Sequence, residues 1–240
     1  GARRLSWPAM SVAALVLAAG RGERLGHDLP KAFIPLAGKP MLLHALEALA
    51  AAPEVELVVP VVARRDFARL RGLEAALAAI PKLGAPVAGG AERQDSVRAG
   101  LAALPEDVVL VAVHDAARPL VSPGAVGRVV VAARRDGAAI LAAPVRDTIK
   151  RVRGGRVVET PARAECYAAQ TPQVFRVELL REALAKATAA GVHGTDDAEI
   201  VERLGVSVTI VEGDSRNLKV THPEDLVVAE RWLAAASAGA

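Results

Sequence analysis

Short apolar runs alternate with helical stretches along the whole chain, and this order constrains the fold more than any other feature of the sequence. Each run is rich in Val, Ala, Leu and Ile and ends at glycine, proline or a charged residue, a pattern typical of strands buried on both faces. The predicted strands are residues 13–18, 56–62, 108–114, 138–145 and 206–212. Apolar residues recur at helical spacing over 41–51, 67–80, 96–104, 126–134, 177–189, 198–204 and 224–235. The alternation predicts a Rossmann-like α/β fold, in which helices cover both faces of a mostly parallel twisted sheet.

Two of the predicted helices begin at capping residues. Ser122 precedes Pro123, which places a side-chain acceptor in front of a proline in the first turn. Thr221 and Glu224 have the spacing of a capping box, in which each side chain bonds the backbone beside the other. In a parallel sheet flanked by such helices, ligands bind at the carboxyl ends of the strands.

One segment, residues 147–160, departs from the alternation because polar and apolar residues alternate around Gly154 and Gly155. This pattern predicts a β-hairpin. Such an arm has little to pack against in its own subunit, so it either pairs with a second subunit or is a solvent-exposed excursion. We assign residues 1–240 to one domain, with 1–9 as an N-terminal extension and 144–168 as the protruding arm.

The N-terminus has two interpretations. Arg3 and Arg4, followed by the apolar residues 10–19, resemble a secretory signal peptide. Alternatively, this segment is the first strand, with Met10 as the natural start. The glycine pattern that follows favours the strand, so we expect a cytoplasmic protein. No apolar stretch approaches the roughly 18 residues that span a bilayer, so we expect no membrane association.

Charge and cysteine content limit the possible partners. The chain has 30 Lys and Arg against 27 Asp and Glu, a formal net charge of +3. This is compatible with a solvated surface or with a basic cleft for a polyanionic ligand. No basic run is interleaved with aromatic residues, so we expect no nucleic-acid partner. The single cysteine, Cys166, excludes an internal disulfide and a cysteine-based metal site.

A glycine-rich, basic segment follows the first predicted strand, from Leu17 to Lys31. Gly20 and Gly22 allow backbone amides to approach phosphate oxygens, and Arg24 and Lys31 supply positive charge. The dinucleotide-binding fingerprint fails because Leu25 stands where it needs glycine, and no Gly-Lys-Ser/Thr follows. The segment therefore favours nucleotidyl transfer over hydride transfer, with a plain surface turn as the alternative.

The motif HDAARP, residues 114–119, lies at the end of a buried strand. Asp115 is placed to hold Mg²⁺ through one carboxylate together with substrate phosphates. His114 could act as a base, but we favour a packed histidine. Arg118 is either an ion-pair partner of Asp115 or a ligand for a substrate phosphate.

The remaining polar motifs are weaker signals. Residues 89–96 combine two glycines with a polar turn and a helix that we expect to begin near Ser96. This loop either contacts the edge of a base through its backbone or is an ordinary strand-to-helix turn, which is the better interpretation if the loop is taken alone. The other segments each resemble solvated loops: residues 146–150, Arg163, 170–173, 195–197 and 217–221.

Taken in order, these motifs resemble the 2-C-methyl-D-erythritol 4-phosphate cytidylyltransferase family of isoprenoid precursor synthesis, from about residue 12 to residue 231. The matching motifs are AAGRGER (18–24), PK (30–31), GAERQDS (90–96), HDAARP (114–119), PVRDT (144–148), TPQ (171–173), TD (195–196) and NLKVT (217–221). Many independent matches in the right order make the resemblance specific. It departs from the family at Leu17, where many members have proline, and at Ala91, where an acidic residue is common.

The resemblance implies a role for each candidate residue. The implied CTP contacts are Ala18, Ala19, Gly20, Gly22, Gly90 and Ser96. The implied catalytic residues are Arg24 and Lys31 at the α-phosphate, with Arg163 and Lys219 positioning the methylerythritol phosphate. The implied Mg²⁺ ligand is Asp115, and the further substrate contacts are Ala116, Arg118, Thr148, Thr171 and Thr195. Arg163 is assigned because it lies eight residues before Thr171, as the family arginine does.

The resemblance also implies a homodimer in which the arm contributes substrate-binding residues to the neighbouring subunit. Three other functions remain as alternatives. A ribitol 5-phosphate cytidylyltransferase has a very similar nucleotide half, and a sugar-1-phosphate nucleotidylyltransferase usually has a longer spacer than that between Arg24 and Lys31. An exported α/β binding protein would lose its first 19 residues.

Overall fold

The structure is a computed structural model that describes residues 11–20 and 29–238. The predicted extension 1–9, the proposed start Met10, and the site candidates Gly22 and Arg24 lie outside these residues.

Strands and helices alternate through the described residues, as the sequence predicts. The strands are β1 (Ser11–Ala18), β2 (Pro35–Leu36), β3 (Lys39–Pro40), β4 (Leu57–Val62), β5 (Val87–Ala88), β6 (Val108–Asp115), β7 (Ala138–Pro144), β8 (Arg151–Arg153), β9 (Arg156–Glu159), β10 (Tyr167–Arg176) and β11 (Thr209–Glu212). The α-helices are α1 (Met41–Ala50), α2 (Phe67–Arg71), α3 (Glu74–Ala78), α4 (Arg93–Ala102), α5 (Pro123–Asp136), α6 (Val177–Ala189), α7 (Asp197–Glu202) and α8 (Pro223–Ala238). Short 3₁₀ turns lie at Lys31–Phe33, Arg64–Asp66 and Arg163–Glu165.

The central sheet has the strand order β11-β7-β10-β6-β1-β4-β5. Neighbouring strands are parallel except at β10, which is antiparallel to both β6 and β7. The predicted α/β class and mostly parallel sheet are therefore confirmed. Alternate residues of β1 face opposite layers: Val12, Ala14 and Val16 pack with α1 and α5, while Ala13 and Leu15 pack with α4 and α6.

Strand β10 is absent from the sequence-based prediction, which treated residues 170–173 as a solvated loop. That interpretation was wrong, because Gln170, Thr171 and Gln173 are buried. Their polar groups are bonded to residues distant in sequence, and this pairing allows a polar segment to lie inside the sheet. Asp197 and Asn217, which also resembled loop residues, are buried as well.

Several predicted boundaries of helices and strands differ from the structure. The helix predicted over 67–80 is two helices, because the amides of Gly72 and Leu73 bond to carbonyls three residues earlier and end the first one. Helix α4 begins at Arg93, not at Ser96, with a capping box between Glu92 and Asp95. The strand predicted from residue 206 begins at Thr209.

The two predicted caps have different outcomes. Ser122 accepts a hydrogen bond from the amide of Ala125, as expected. The capping box of Thr221 with Glu224 was wrong. Helix α8 begins at Pro223, so the third helical residue is Asp225, and its Oδ2 accepts from the amides of Thr221 and His222 at 2.7 and 2.8 Å.

The predicted hairpin is present as β8 and β9, which pair with each other in a separate two-stranded sheet. Gly154 and Gly155 both have positive φ, +55° and +75°, which is what a two-residue hairpin turn of type I′ requires. Val152, Val157 and Val158 on these strands are exposed. Within the described residues, none of the helices combines the length and the apolar character needed to cross a bilayer.

Candidate active site

The register of the parallel strands brings several loops together at one edge of the sheet. Leu17 near the end of β1 pairs with Val61 of β4 and with Asp115 of β6. The amide of Ala116 then donates to the carbonyl of Leu17 (3.0 Å), and the amide of Gly89 donates to that of Val62 (2.8 Å). The start of the glycine-rich segment at Leu17, the 89–96 loop and the HDAARP motif therefore meet, as the sequence predicts for the carboxyl edge.

Two adjoining pockets open at this edge. The first, here called the β1 pocket, has a volume of about 240 Å³ and is lined by Leu17–Gly20, Lys31, Ala32, Gly90–Arg93, Ser96, Asp115–Ala117 and Lys219. The second, the β10 pocket, has a volume of about 230 Å³ and is lined by Arg93, Asp115, Arg118, Ala169–Thr171, Gln173, Thr195, Asp196 and Lys219. Arg93, Asp115 and Lys219 belong to both pockets and form the wall between them.

The 89–96 loop is shaped by close approach of its glycines to neighbouring side chains. A Cβ at Gly90 would lie 2.2 Å from the Cβ of Asp95, and one at Gly89 would lie 2.7 Å from the Cβ of Ala19. Ser96 Oγ accepts from the amide of Gly90 and donates to the carbonyl of Glu92, both at 3.2 Å. Ser96 thus holds the loop in place, and its hydroxyl lines the β1 pocket.

Most other candidates for nucleotide contact line the same pocket. Ala18 ends β1, Ala19 and Gly20 follow it, and all three line the pocket. Ala116, the substrate candidate within the HDAARP motif, is buried and lines the same pocket. Lys31 begins a 3₁₀ turn and contributes a half-buried side chain to the pocket.

Asp115 lies between two cations. Its Oδ1 is 3.2 Å from Arg93 Nε, and its Oδ2 is 2.7 Å from Lys219 Nζ. Burial alone would raise the pKa of this carboxyl, but the charges of Arg93 and Lys219 outweigh burial and hold the pKa well below its ordinary value. Asp115 is therefore ionised at neutral pH.

Lys219 reaches Asp115 because the 217–221 segment is fixed on both sides. The amide of Val220 donates to the carbonyl of Ala117 at 2.8 Å. The side-chain amide of Asn217 donates to Gln170 Oε1 and to the carbonyl of Thr171, at 3.1 and 2.9 Å. These bonds connect the segment to the HDAARP turn and to β10.

His114 is fully buried, as predicted for a packed histidine. Its Nε2 lies 3.1 Å from the carbonyl of Arg118, and its Nδ1 lies 3.0 Å from Thr171 Oγ1. Burial lowers the pKa of His114 to about 4, so the ring is neutral. Because a carbonyl only accepts, Nε2 carries the proton and Nδ1 accepts from the Thr171 hydroxyl. That hydroxyl in turn accepts from the amide of Asp115 at 3.0 Å, which fixes the backbone at the end of β6.

Arg118 and Thr195 line the β10 pocket. Arg118 donates to the carbonyls of Asn217 (2.7 Å) and Ala169 (3.1 Å), so both bonds go to the backbone and neither goes to Asp115. Arg118 therefore makes no direct contact with Asp115, and its role as a ligand for a substrate phosphate stays a prediction. Thr195 donates through its amide and its hydroxyl to Glu199 Oε2, at 2.7 and 3.0 Å.

Thr148 and Arg163 are not brought to the other candidates within this chain. Both are exposed, and neither is among the residues that line the β1 or the β10 pocket. Arg163 Nη1 donates to the carbonyl of Arg146 at 3.1 Å, so it lies on the arm side of the molecule.

Sequence reasoning did not single out Arg93, which bonds two carboxylates at once. Its Nη1 is 2.8 Å from Asp197 Oδ2, in addition to its contact with Asp115. Burial raises the pKa of Asp197, even though Arg93 lowers it. The position of Arg93, three residues after Gly90, was the available signal, but its partner Asp197 is not visible in a single sequence.

A metal ion would have few protein ligands at this site. Across residues 11–20 and 29–238, no three His, Cys, Asp or Glu side chains lie together so that they could hold a metal ion by themselves. Asp115 is an ionised carboxylate on the wall of the β1 pocket. It fits a Mg²⁺ ion that takes one carboxylate from the protein and its other ligands from phosphates and water.

Comparisons with known proteins agree with this geometry. The family model for 2-C-methyl-D-erythritol 4-phosphate cytidylyltransferase matches residues 12–235. A relative of that name from Pelotomaculum thermopropionicum is 48% identical over 222 residues, which cover 91% of this chain and 92% of the relative. Another of that name, from Desulforamulus reducens, is 42% identical over 93% of this chain and 96% of its own length.

Solved structures show the same similarity. The crystal structure of 2-C-methyl-D-erythritol 4-phosphate cytidylyltransferase from Thermus thermophilus has a TM-score of 0.74 at 40% identity, covering 93% of this chain and 98% of that one. A 4-diphosphocytidyl-2C-methyl-D-erythritol synthase from Anaerococcus prevotii has a TM-score of 0.83 at 27% identity, covering 94% and 99%. The match in sequence and in fold leads to one conclusion: this chain belongs to the 2-C-methyl-D-erythritol 4-phosphate cytidylyltransferase family.

Proposed function

We propose that this protein transfers CMP from CTP to 2-C-methyl-D-erythritol 4-phosphate, forming 4-diphosphocytidyl-2-C-methyl-D-erythritol and pyrophosphate in non-mevalonate isoprenoid precursor synthesis. The observation that carries the proposal is the pair of pockets that share Asp115 and Lys219. A nucleotide in the β1 pocket and an acceptor phosphate in the β10 pocket would meet at this wall. The curated relatives described above carry the name of this activity.

The reaction needs positioning and charge more than acid–base chemistry. The acceptor phosphate is already anionic, so its oxygen attacks the α-phosphorus directly. A new P–O bond forms as the bond to the β-phosphate breaks, and pyrophosphate leaves with the electron pair. Lys31 in the β1 pocket, together with Arg24, stabilises the negative charge on the α-phosphate, and Lys219 orients the acceptor.

Asp115 would hold the Mg²⁺ ion that neutralises the triphosphate. Its oxygens already contact Arg93 and Lys219, so the ion would share this carboxylate with the two cations. Gly90 and Ser96 border the space left for cytosine and ribose, and Ala18, Ala19 and Gly20 border that left for the phosphates.

The protein is further proposed to be a homodimer formed through the arm. Val152, Val157 and Val158 present apolar surface on a hairpin that pairs only with itself among the described residues. Thr148 and Arg163, which the family resemblance assigns to the acceptor, lie outside the pockets of their own chain. Both observations are explained if the arm packs on a second subunit and contributes these residues to its β10 pocket.

Two alternatives are less well supported. The names of the relatives favour methylerythritol phosphate over ribitol 5-phosphate as the acceptor. For an exported binding protein, cleavage near Gly20 would remove β1, which pairs with both β4 and β6 in the middle of the sheet. We therefore propose an enzyme that retains β1 and acts in the cytoplasm.

The decisive test is pyrophosphate release from CTP and Mg²⁺ with each acceptor in turn. We expect turnover with methylerythritol phosphate and at most weak turnover with ribitol 5-phosphate. A preference for ribitol 5-phosphate would overturn the acceptor. Lys31→Ala should lower turnover by about a hundredfold or more, whereas Lys186→Ala, which removes only an exposed ion pair to Glu182, should not change it.

A further inference from the structure

Arg93 connects the two pockets through a single guanidinium. The Nε atom faces Asp115 Oδ1 at 3.2 Å, and the Nη1 atom faces Asp197 Oδ2 at 2.8 Å. Asp115 belongs to the wall shared by both pockets, whereas Asp197 directly follows Asp196, which lines the β10 pocket. The two contacts use different nitrogens of one planar group, so moving either carboxylate disturbs the other contact.

On the β10 side, Asp197 is fixed in a buried network. It is the first residue of α7 and is 1% exposed. Gln173 Oε1 accepts from the amides of Asp197 and Ala198, at 3.0 and 3.1 Å, and Gln173 Nε2 donates to Asp196 Oδ2 at 2.8 Å. Asp196 follows Thr195 directly, and both line the β10 pocket. The position of Asp197 therefore sets the position of this part of the pocket wall.

On the β1 side, Arg93 is the first residue of α4 and follows the loop against which a nucleotide base would rest. Gly90 is in close contact with Asp95, and its amide bonds Ser96, so the loop and the first turn of α4 move together. A ligand that orders residues 89–96 also orders the backbone from which the Arg93 side chain extends.

We propose that Arg93 is a positioning residue that couples the two pockets: a nucleotide in the β1 pocket fixes Arg93, and Arg93 fixes Asp197 and the wall of the β10 pocket formed by Thr195 and Asp196. The proposal rests on the proposed function, because it takes the two pockets as the nucleotide and acceptor sites. It adds that the nucleotide prepares the acceptor site through one arginine.

The charges support this role for arginine. Asp197 is buried, and its carboxylate needs a positively charged partner in direct contact, which Arg93 provides as an ion pair. Lysine at position 93 would keep the positive charge but has one point-like ammonium group, which cannot reproduce two directed contacts at different nitrogens. Arg93→Lys therefore removes the double contact while keeping the positive charge. Asp197→Asn removes the negative charge of the carboxylate while preserving the size of the side chain.

The test is calorimetric binding of methylerythritol phosphate with and without cytidine 5′-(α,β-methylene)triphosphate, which binds as CTP would but cannot release pyrophosphate. For the wild type, we expect the nucleotide analogue to tighten acceptor binding by about fivefold or more, the range of ordinary coupling between sites. For Arg93→Lys and Asp197→Asn, this factor should fall below about twofold. Arg98→Lys is the matched control, because Arg98 lies on the same helix but is exposed and bonds Thr188 and Asp95, away from both pockets.

Steady-state kinetics provide a second test of the role of Arg93. Arg93→Lys should raise the KM for methylerythritol phosphate at saturating CTP, while the affinity for the nucleotide analogue without acceptor stays within about twofold; a general loss of folding would weaken both. Equal coupling in the wild type and Arg93→Lys, or no coupling in the wild type, would overturn the role of Arg93 and leave the proposed function intact. If the wild type binds neither ligand, the proposed function fails together with the inference.

Discussion

Lys219 Nζ lies 2.7 Å from Asp115 Oδ2, on the wall that separates the two pockets. This ion pair has two consequences. It helps to keep Asp115 ionised, because the guanidinium of Arg93 and this ammonium together lower the pKa of the carboxyl against the effect of burial. It also holds the Lys219 ammonium at the point where the acceptor phosphate would meet the nucleotide.

Replacement of Lys219 by methionine should therefore impair the acceptor more than the nucleotide. Methionine keeps the length of the side chain but removes the charge, so we expect kcat/KM for methylerythritol phosphate to fall about a hundredfold. The KM for CTP should change much less. Lys186→Met on the exposed face of α6 serves as the control. An unchanged kcat/KM for the acceptor would remove Lys219 from the reaction.

Gly90→Ala should weaken CTP binding. The new Cβ would lie 2.2 Å from the Cβ of Asp95, so the 89–96 loop must shift away from the position in which it lines the pocket. We expect CTP binding to weaken by roughly tenfold, the effect of a moderate steric strain. Gly124→Ala is the control, since a Cβ there meets nothing within 4 Å. Titration calorimetry with CTP measures both, and equal affinities for the two variants would contradict the expected clash.

Thr171→Val should destabilise the protein, and Thr171→Ser should not. The hydroxyl of Thr171 donates to His114 Nδ1 and accepts from the amide of Asp115, and all three groups are buried. Valine leaves both partners unpaired, at a cost of about 1–3 kcal/mol for each group. Serine keeps the hydroxyl and should recover most of the stability. Urea unfolding compares the three proteins. A valine variant as stable as the wild type would show that the two hydrogen bonds of the Thr171 hydroxyl contribute little to the unfolding free energy.

Hydrogen bonds between residues distant in sequence, like those of Thr171, also explain which parts of the fold a single sequence could predict. Strand β1 and the parallel sheet follow from apolar runs, because local hydrophobicity alone determines which segments are buried on both faces. Strand β10 could not be found in this way. Its centre is polar, and it is buried only because Gln170 and Gln173 have partners in Asp214 and Asp196, which lie far along the chain.

The sequence likewise predicted part of the site and missed the residues whose role depends on distant partners. The motifs at strand ends identified Asp115 and Lys31, since the carboxyl edge of a parallel sheet brings such residues together. Lys219 was assigned through the family resemblance, because its ion pair with Asp115 depends on how the 217–221 segment crosses the sheet. Arg93 was missed for the same reason, as its role depends on the distant Asp197.

His114 should make the stability of the protein depend on pH between about 4 and 6.5. Burial lowers its folded pKa to about 4 from an ordinary value of 6.5, so the unfolded chain binds a proton first as the pH falls. Stability is therefore greatest above pH 6.5 and decreases towards pH 4. Asp115, whose folded pKa is also lowered, adds a loss only below its unfolded pKa of 3.8. Asp197, whose pKa is raised by burial, takes up its proton first in the folded state as the pH falls towards 3.8, and so opposes the loss from His114.

Comparison of the wild type with His114→Gln isolates this contribution, because glutamine provides a donor and an acceptor but does not titrate. His44, whose pKa is also lowered by burial, is present in both proteins and cancels in the difference. Between pH 7.5 and 4.5, the wild type should lose roughly 2–3 kcal/mol more unfolding free energy than the variant. Arg118, whose carbonyl accepts from His114, is unchanged. Parallel pH dependence of the two proteins would mean that His114 is protonated in the folded state.

Val157→Asp should separate the proposed dimer and reduce activity together. Val157 lies on β9 of the arm and is 59% exposed in the single chain, so aspartate there has no folded-state cost within its own subunit. In a dimer formed through the arm, the same carboxylate would be desolvated without a partner, which costs several kcal/mol. Val131→Asp is a matched control, because Val131 on α5 is equally exposed at 59%.

Light scattering should give a monomer for Val157→Asp alone. The loss of Thr148 and Arg163 from the neighbouring pocket should then raise the KM for the acceptor; a fully active monomer would exclude any contribution of the arm to the site.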